Sequence, residues 1–165
     1  MSTPMGEANE SIVLDPDSLV VRKRTAKQGP VEISIDFKDN KATGTMSMNG
    51  QAKPIDVDTG GPIFADSAGQ AQVIATLPLA AGYSAMFRTF DLQKQKPKLM
   101  ELKVTGSESV TVPAGTFDAH KVEITSAEGG AEHITLWIAK DSRKAAKMVV
   151  VMPQMNGAEL TAELQ

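Results

Sequence analysis

The chain predicts a mainly β fold of the α+β class: a curved antiparallel sheet, or half-barrel, wrapped around one helix. Three observations predict it. First, apolar and polar residues alternate over many short runs, the period of a strand with one buried face. "VEISIDF" (31–37) sets Val31, Ile33, Ile35 and Phe37 against Glu32, Ser34 and Asp36. Second, the runs are separated by tight turn signals such as Asn49-Gly50 and Gly129-Gly130, and connections this short join antiparallel neighbours but not parallel ones. Third, one segment has a period near 3.6: Phe64, Ala68, Ala71, Ile74 and Leu77 fall on one helical face. With aromatics at 4% of the chain, a curved sheet closing its inner face on that helix is an economical core.

The elements follow in order. "MSTPMGEANE" is polar and acidic, with no basic region leading into an apolar run, so residues 1–10 read as a disordered or expression-derived N terminus and not as a signal peptide. Residues 11–165 then form a single β-rich domain, since 165 residues suit one core. "SLVVRKRTAK" reads as a strand on which Arg22 and Arg24 point one way and Lys23 the other, charge placement that protects sheet edges. After "VEISIDF", "KDNK" turns the chain. "ATGTMSM" returns with Met46 and Met48 on one side, Asn49-Gly50 makes a two-residue hairpin, and "AKPIDVD" completes a meander. The helix is expected over 65–77, with Asp66 as N-cap and Pro78 as stop; Gly69 inside it costs about 1 kcal/mol relative to alanine. Beyond Gly82 the chain returns to strands, over 83–90, 99–112, 117–126, 132–140, 145–152 and 158–164. One long sheet, interrupted by one helix, is the expectation.

Composition excludes several functions. A net charge of -3 supplies no field to gather nucleic acid or anionic lipid, and the "RKR" patch has no aromatic neighbours for base stacking. The absence of cysteine removes disulfides, thiolate zinc sites and cysteine nucleophiles together. No run is long enough to span a membrane as a helix. "DPD" at 15–17 and the pair Asp56 and Asp58 lack the glycine and closing glutamate of a calcium loop, and read as turn and surface residues.

The segment "VPAGTFDAHKVEI" (112–124) carries a candidate nucleophile, Thr116, but Pro113 and Gly115 make it a strand connection, and no general base is tied to it. If 117–126 pairs with 132–140 so that Val122 meets Leu136 and Ile124 meets Ile134, His120 lies on their face and His133 on the opposite one. The two histidines then share no metal. His120 reads as a partly buried, hydrogen-bonded residue, and Trp137 shares a face with Lys121, where a cation can stack. With no metal, cofactor or catalytic residues indicated, the chain is expected not to be an enzyme. Its nine methionines suit either an irregular core or an adaptable apolar site. For the second case the candidate ligand-binding residues are Met46, Met48, Ile74, Leu77, Val122, Leu136 and Met148, set between sheet and helix; a dry core would use the same residues.

Taken in order, "LPLAAGY", "VTGSESVTVPAGTFDAHKVEI", "TLWIAKD" and the closing "NGAELTAEL" resemble a bacterial cell-envelope family known as a domain of unknown function. The resemblance is specific from about Leu77 onward. It implies a lipoprotein-carrier-like half-barrel, similar to the periplasmic carriers and receptors that sort outer-membrane lipoproteins. It further implies a periplasmic or extracellular location and a lipid or lipoprotein as partner. The alternative it allows is a C-terminal accessory or interaction domain of a larger exported enzyme such as a peptidase. The family has no established catalytic residues, so none is carried over. "KDSRKAAKMVV" lacks the proline often found after the basic residue.

Overall fold

The computed structural model describes residues 2–3, 6–153 and 156–165. It is mainly β. Strands β1 (Ser2–Thr3), β2 (Gly6–Leu14), β3 (Val21–Gln28), β4 (Val31–Lys38), β5 (Lys41–Met48) and β6 (Gln51–Asp58) form one six-stranded antiparallel sheet in chain order. A 3-10 turn, Ser67–Gly69, runs into the helix α1 (Gln70–Ala75). Strands β7 (Ser84–Asp91), β8 (Lys96–Val112), β9 (Gly115–Ser126), β10 (His133–Ala139), β11 (Ala145–Met152) and β12 (Ala158–Glu163) form a second six-stranded sheet, again in chain order. The expected single long sheet is therefore two.

Local chemistry explains the hairpins. Asp39 and Asn40, and then Asn49 and Gly50, all have positive φ, the geometry whose twist matches paired strands, and each residue type tolerates it. Pro113-Ala114 joins β8 to β9, with Val112 opposite Gly115. The register expected for the β9–β10 hairpin is the one observed: Val122 faces Leu136 and Ile124 faces Ile134.

Two expectations need correction. The helix is shorter than 65–77, because Ala65 and Ser67 sit at φ 49° and 47° and Asp66 is extended, so helical geometry starts beyond them. β3 is also not an edge strand. β2 covers it, with Asn9 opposite Lys27 and Ser11 opposite Thr25. The β2–β3 register shifts between Val13 and Leu14, leaving Arg22 as an extra residue between Val21 and Lys23. Such a bulge changes which way neighbouring side chains face. Arg22 is exposed and bonds Asp15, while Arg24 is buried.

The chain divides into two compact units, one comprising residues up to 70 with 88–97, the other 71–87 with 98–165. In the first, Val21, Ile35, Phe37, Ala42, Ile55, Ile63 and Phe90 form the core. Phe37 and Phe90 meet edge to face, with ring centroids 5.6 Å apart, an arrangement favoured by the ring quadrupoles. In the second, one sheet face carries the buried row Val104, Val122 and Leu136, and beside it Leu102, Ile124 and Ile134. The opposite face carries Lys121, Trp137 and Lys147 in register. The two ammonium groups lie 5.7 and 5.8 Å from the indole ring, and the indole N–H donates to Glu108 Oε1 at 2.5 Å. Trp137 thus has the cation stack its register predicts.

Candidate functional site

The seven candidate ligand-binding residues divide between the units. Met46 and Met48 lie on β5 in the first; Ile74, Leu77, Val122, Leu136 and Met148 lie in the second. Val122, Leu136 and Met148 come together as cross-strand neighbours on β9, β10 and β11. Val122, Leu136 and Ile74 have no exposed surface. Leu77 is half-buried and its carbonyl accepts from Arg143 Nη1 at 3.1 Å. Met148 is half-buried too.

Met46 and Met48 are in a different setting. Strand pairing places Ile35 beside Gly44, Ile33 beside Met46 and Val31 beside Met48, all on the face that carries the core of the first unit. Burial falls along that face. Phe37 and Ile35 are buried, Ile33 and Val31 half-buried, and Met48 is 56% exposed. The core therefore continues into an apolar flank that is open to solvent. The next positions in the same cross-strand rows are polar: Glu10 beyond Ala26, Lys53 beyond Met46, Gln51 beyond Met48. An exposed apolar surface rimmed by polar side chains is the form an interaction site takes.

Next to this flank, a polar cluster centred on the buried Arg24 and Asp66 pins the 3-10 turn to the sheet. Arg24 Nε donates to Glu10 Oε1 at 2.7 Å, Nη1 to Asp66 Oδ2 at 3.0 Å and Nη2 to Ser67 Oγ at 2.8 Å. Ser67 Oγ in turn donates to Glu10 at 2.6 Å, and Phe90 N–H to Asp66 Oδ1 at 3.2 Å. Asp66 occupies the N-cap position, but its carboxylate caps nothing. It is committed to Arg24 and to β7. Burial pushes its carboxyl above the usual range, and the guanidinium and the Phe90 N–H pull it back down. With the Arg24 guanidinium shared among Glu10, Asp66 and Ser67 and both Asp66 oxygens engaged, this cluster is built to hold, not to react.

The residues that could suggest catalysis are separately engaged. Thr116 Oγ1 shares a hydrogen bond with Thr111 Oγ1 at 2.9 Å. Asp141 Oδ1 accepts from the Ser142 N–H within its own turn at 2.6 Å. His120 differs from its expected hydrogen-bonded state: its Nδ1 is buried with no partner among the described residues. Burial, followed by Lys140 and Arg143, depresses its pKa. His133 is on the opposite face of the hairpin, as its register predicts. Asp15 accepts from Asp17 N–H, Ser18 N–H and Ser18 Oγ while pairing with Arg22, so "DPD" is a turn; the Arg22 guanidinium first, and then the Ser18 bonds, hold its carboxyl well below the usual range.

Against this geometry stands a family match. The model of a protein family of unknown function, DUF3108, matches residues 3–165. The chain belongs to the DUF3108 family. No curated protein and no solved structure matches it. Among the described residues of this DUF3108 chain, no helix is long and apolar enough to cross a membrane. What could have marked the open flank in the sequence was the spacing of Met46 and Met48 with Val31 and Ile33. What could not be read there is where along the face the cover ends.

Proposed function

We propose that this chain is a non-catalytic binding domain of the bacterial cell envelope, with a lipoprotein-carrier-like half-barrel wrapped around its helix, that takes an apolar ligand, a lipid or lipopeptide acyl chain. The observation that carries the reading is the open flank of Val31, Ile33, Met46 and Met48, where a buried core face runs out into solvent. Methionine thioethers adapt to chains of varied shape, and an acyl chain laid there would remove apolar area from water at about 25 cal/mol per Å². Of the seven candidates, Met46 and Met48 supply accessible apolar surface on this flank, while Val122, Leu136 and Ile74 serve the interior. The non-catalytic reading is supported by the separate engagement of Thr116 and Asp141, which leaves them without a shared proton acceptor. The periplasmic or extracellular location rests on the motifs around "VPAGTF" and "LWIAKD".

The test is titration of the protein with a fluorescent fatty acid and with a fluorescent lipopeptide at micromolar concentration. Saturable binding that Met46→Gln and Met48→Gln weaken supports the reading. No binding of either probe overturns it and brings forward the accessory-domain alternative.

A further inference from the structure

The face of the first sheet opposite the core presents a different surface. Because side chains alternate across a strand, β2, β3, β4 and β5 place Ser11, Thr25, Ser34 and Thr45 side by side in one cross-strand row. The neighbouring row is Asn9, Lys27, Glu32 and Ser47. Between and around these rows the sheet surface sinks into a concavity of about 400 Å³, within the range of small-molecule sites.

Three features of this concavity define what would fill it. Its hydrogen-bonding groups are unspent. Ser11, Thr25, Ser34, Thr45, Ser47 and Asn9 make no side-chain hydrogen bond within the protein among the described residues, and each can both donate and accept. Its charge is cancelled locally, since Lys27 Nζ lies 2.5 Å from Glu32 Oε1, so neither an anion nor a cation finds an unpaired countercharge. Its lining is partly methyl, because Thr25 and Thr45 offer a methyl beside each hydroxyl, and no aromatic side chain is among its lining residues.

We propose that this concavity binds an uncharged, polyhydroxylated ligand, a segment of a neutral sugar chain. Sugar hydroxyls can exchange donors and acceptors with the Ser and Thr row, whose members stand about 4.8 Å apart from strand to strand. The C–H faces of the sugar pack on the threonine methyls. This site is on the opposite face of the sheet from Met46 and Met48, so it stands or falls independently of acyl binding.

The experiment is a titration of ¹⁵N-labelled full chain with maltohexaose and with chitohexaose, read by amide chemical shifts. Saturable shifts confined to the neighbourhoods of Asn9–Ser11, Thr25–Lys27, Glu32–Ser34 and Thr45–Ser47 are expected. The double variant Thr25→Val, Thr45→Val keeps shape and strand propensity while deleting two hydroxyls, and is expected to weaken binding about tenfold or more. Asn9→Ala is a second variant at the exposed start of the concavity, expected to weaken binding should the double variant fold poorly. Three results would overturn the proposal: no saturable shift with either sugar at millimolar concentration, shifts centred on Val31 and Met48, or affinity unchanged in well-folded variants.

Discussion

Arg24 and Asp66, 42 residues apart in the chain, form a buried ion pair at 3.0 Å in which the two residues are 8% and 4% exposed. Replacing Arg24 by leucine leaves Asp66 and Glu10 facing each other without a countercharge. Breaking a buried pair from one side costs about 3–5 kcal/mol. Urea denaturation of Arg24→Leu is therefore expected to show a much lower midpoint than the parent chain, and a shift within experimental error would refute the role given to the cluster.

The same pair has a pH signature. Because burial raises the Asp66 carboxyl in the folded state, the folded protein holds that proton to higher pH than the unfolded chain does. Stability from this group is full below the ordinary carboxylate value and is lost as pH rises through the raised folded value. Asp66→Asn removes this component. The stability of the parent minus that of the variant should fall with rising pH across the acid range, measured by denaturation of both at matched pH; a difference that rises instead would reverse the assignment.

His120 titrates in the opposite sense. Its pKa is depressed by burial and by Lys140 and Arg143, so its contribution to stability is present above the ordinary histidine value of 6.5 and is lost as pH falls through the folded value. Proton NMR of the imidazole should place its midpoint below 6.5, and Lys140→Met should move that midpoint upward.

Gly44 is expected to resist any side chain. A Cβ there would overlap the Ser34 carbonyl oxygen and come 2.9 Å from Ile35 Cα, both backbone atoms that cannot swing aside. Forced overpacking of this kind costs about 1–3 kcal/mol. Gly106, where a Cβ meets nothing within 4 Å, is the control, with Gly106→Ala expected to stay within about 0.5 kcal/mol of the parent. Thermal melts of the two variants make the comparison; equal losses would count against the close approach at Gly44.

Leu136 and Met48 should separate by role. Leu136→Ala opens a cavity in a position with no exposed surface and is expected to cost about 2–5 kcal/mol. Met48→Ala removes a side chain that is 56% exposed, and its effect on stability is expected to stay within about 0.5 kcal/mol. A large loss for Met48→Ala would mean the flank is covered after all.

The hairpins were legible because their signals are local. Alternation in "VEISIDF", and Asn49-Gly50 after "ATGTMSM", each depend on neighbours in the chain, and the β9–β10 register followed from matching two apolar rows. β2 was not legible. "ESIVL" ends in three consecutive apolar residues with no alternation, and with β2 unrecognised, β3 read as an edge strand and its arginines as edge protection. The bulge at Arg22 reverses the alternation on which that reading depended. Ion pairs such as Arg24 with Asp66 join distant segments, and no periodicity announces them. The open flank was half legible: the methionines stood out, but their exposure depends on which element covers the face. The hydroxyl row was hidden because Ser and Thr on a solvent-facing strand look ordinary until four strands align them.

The excursion of the chain into a second unit and back has a consequence for biosynthesis. A nascent chain emerges N terminus first, so β1 through β6 can pair as they appear. Phe90, which packs edge to face on Phe37, belongs to the stretch 88–97 that the first unit receives late. Until the ribosome has released that stretch, the side of Phe37 that Phe90 covers stays wet. Nascent chains whose residues 88–97 are still held inside the ribosome should present this unfinished apolar surface to chaperones and proteases, and chains in which that stretch has emerged should not.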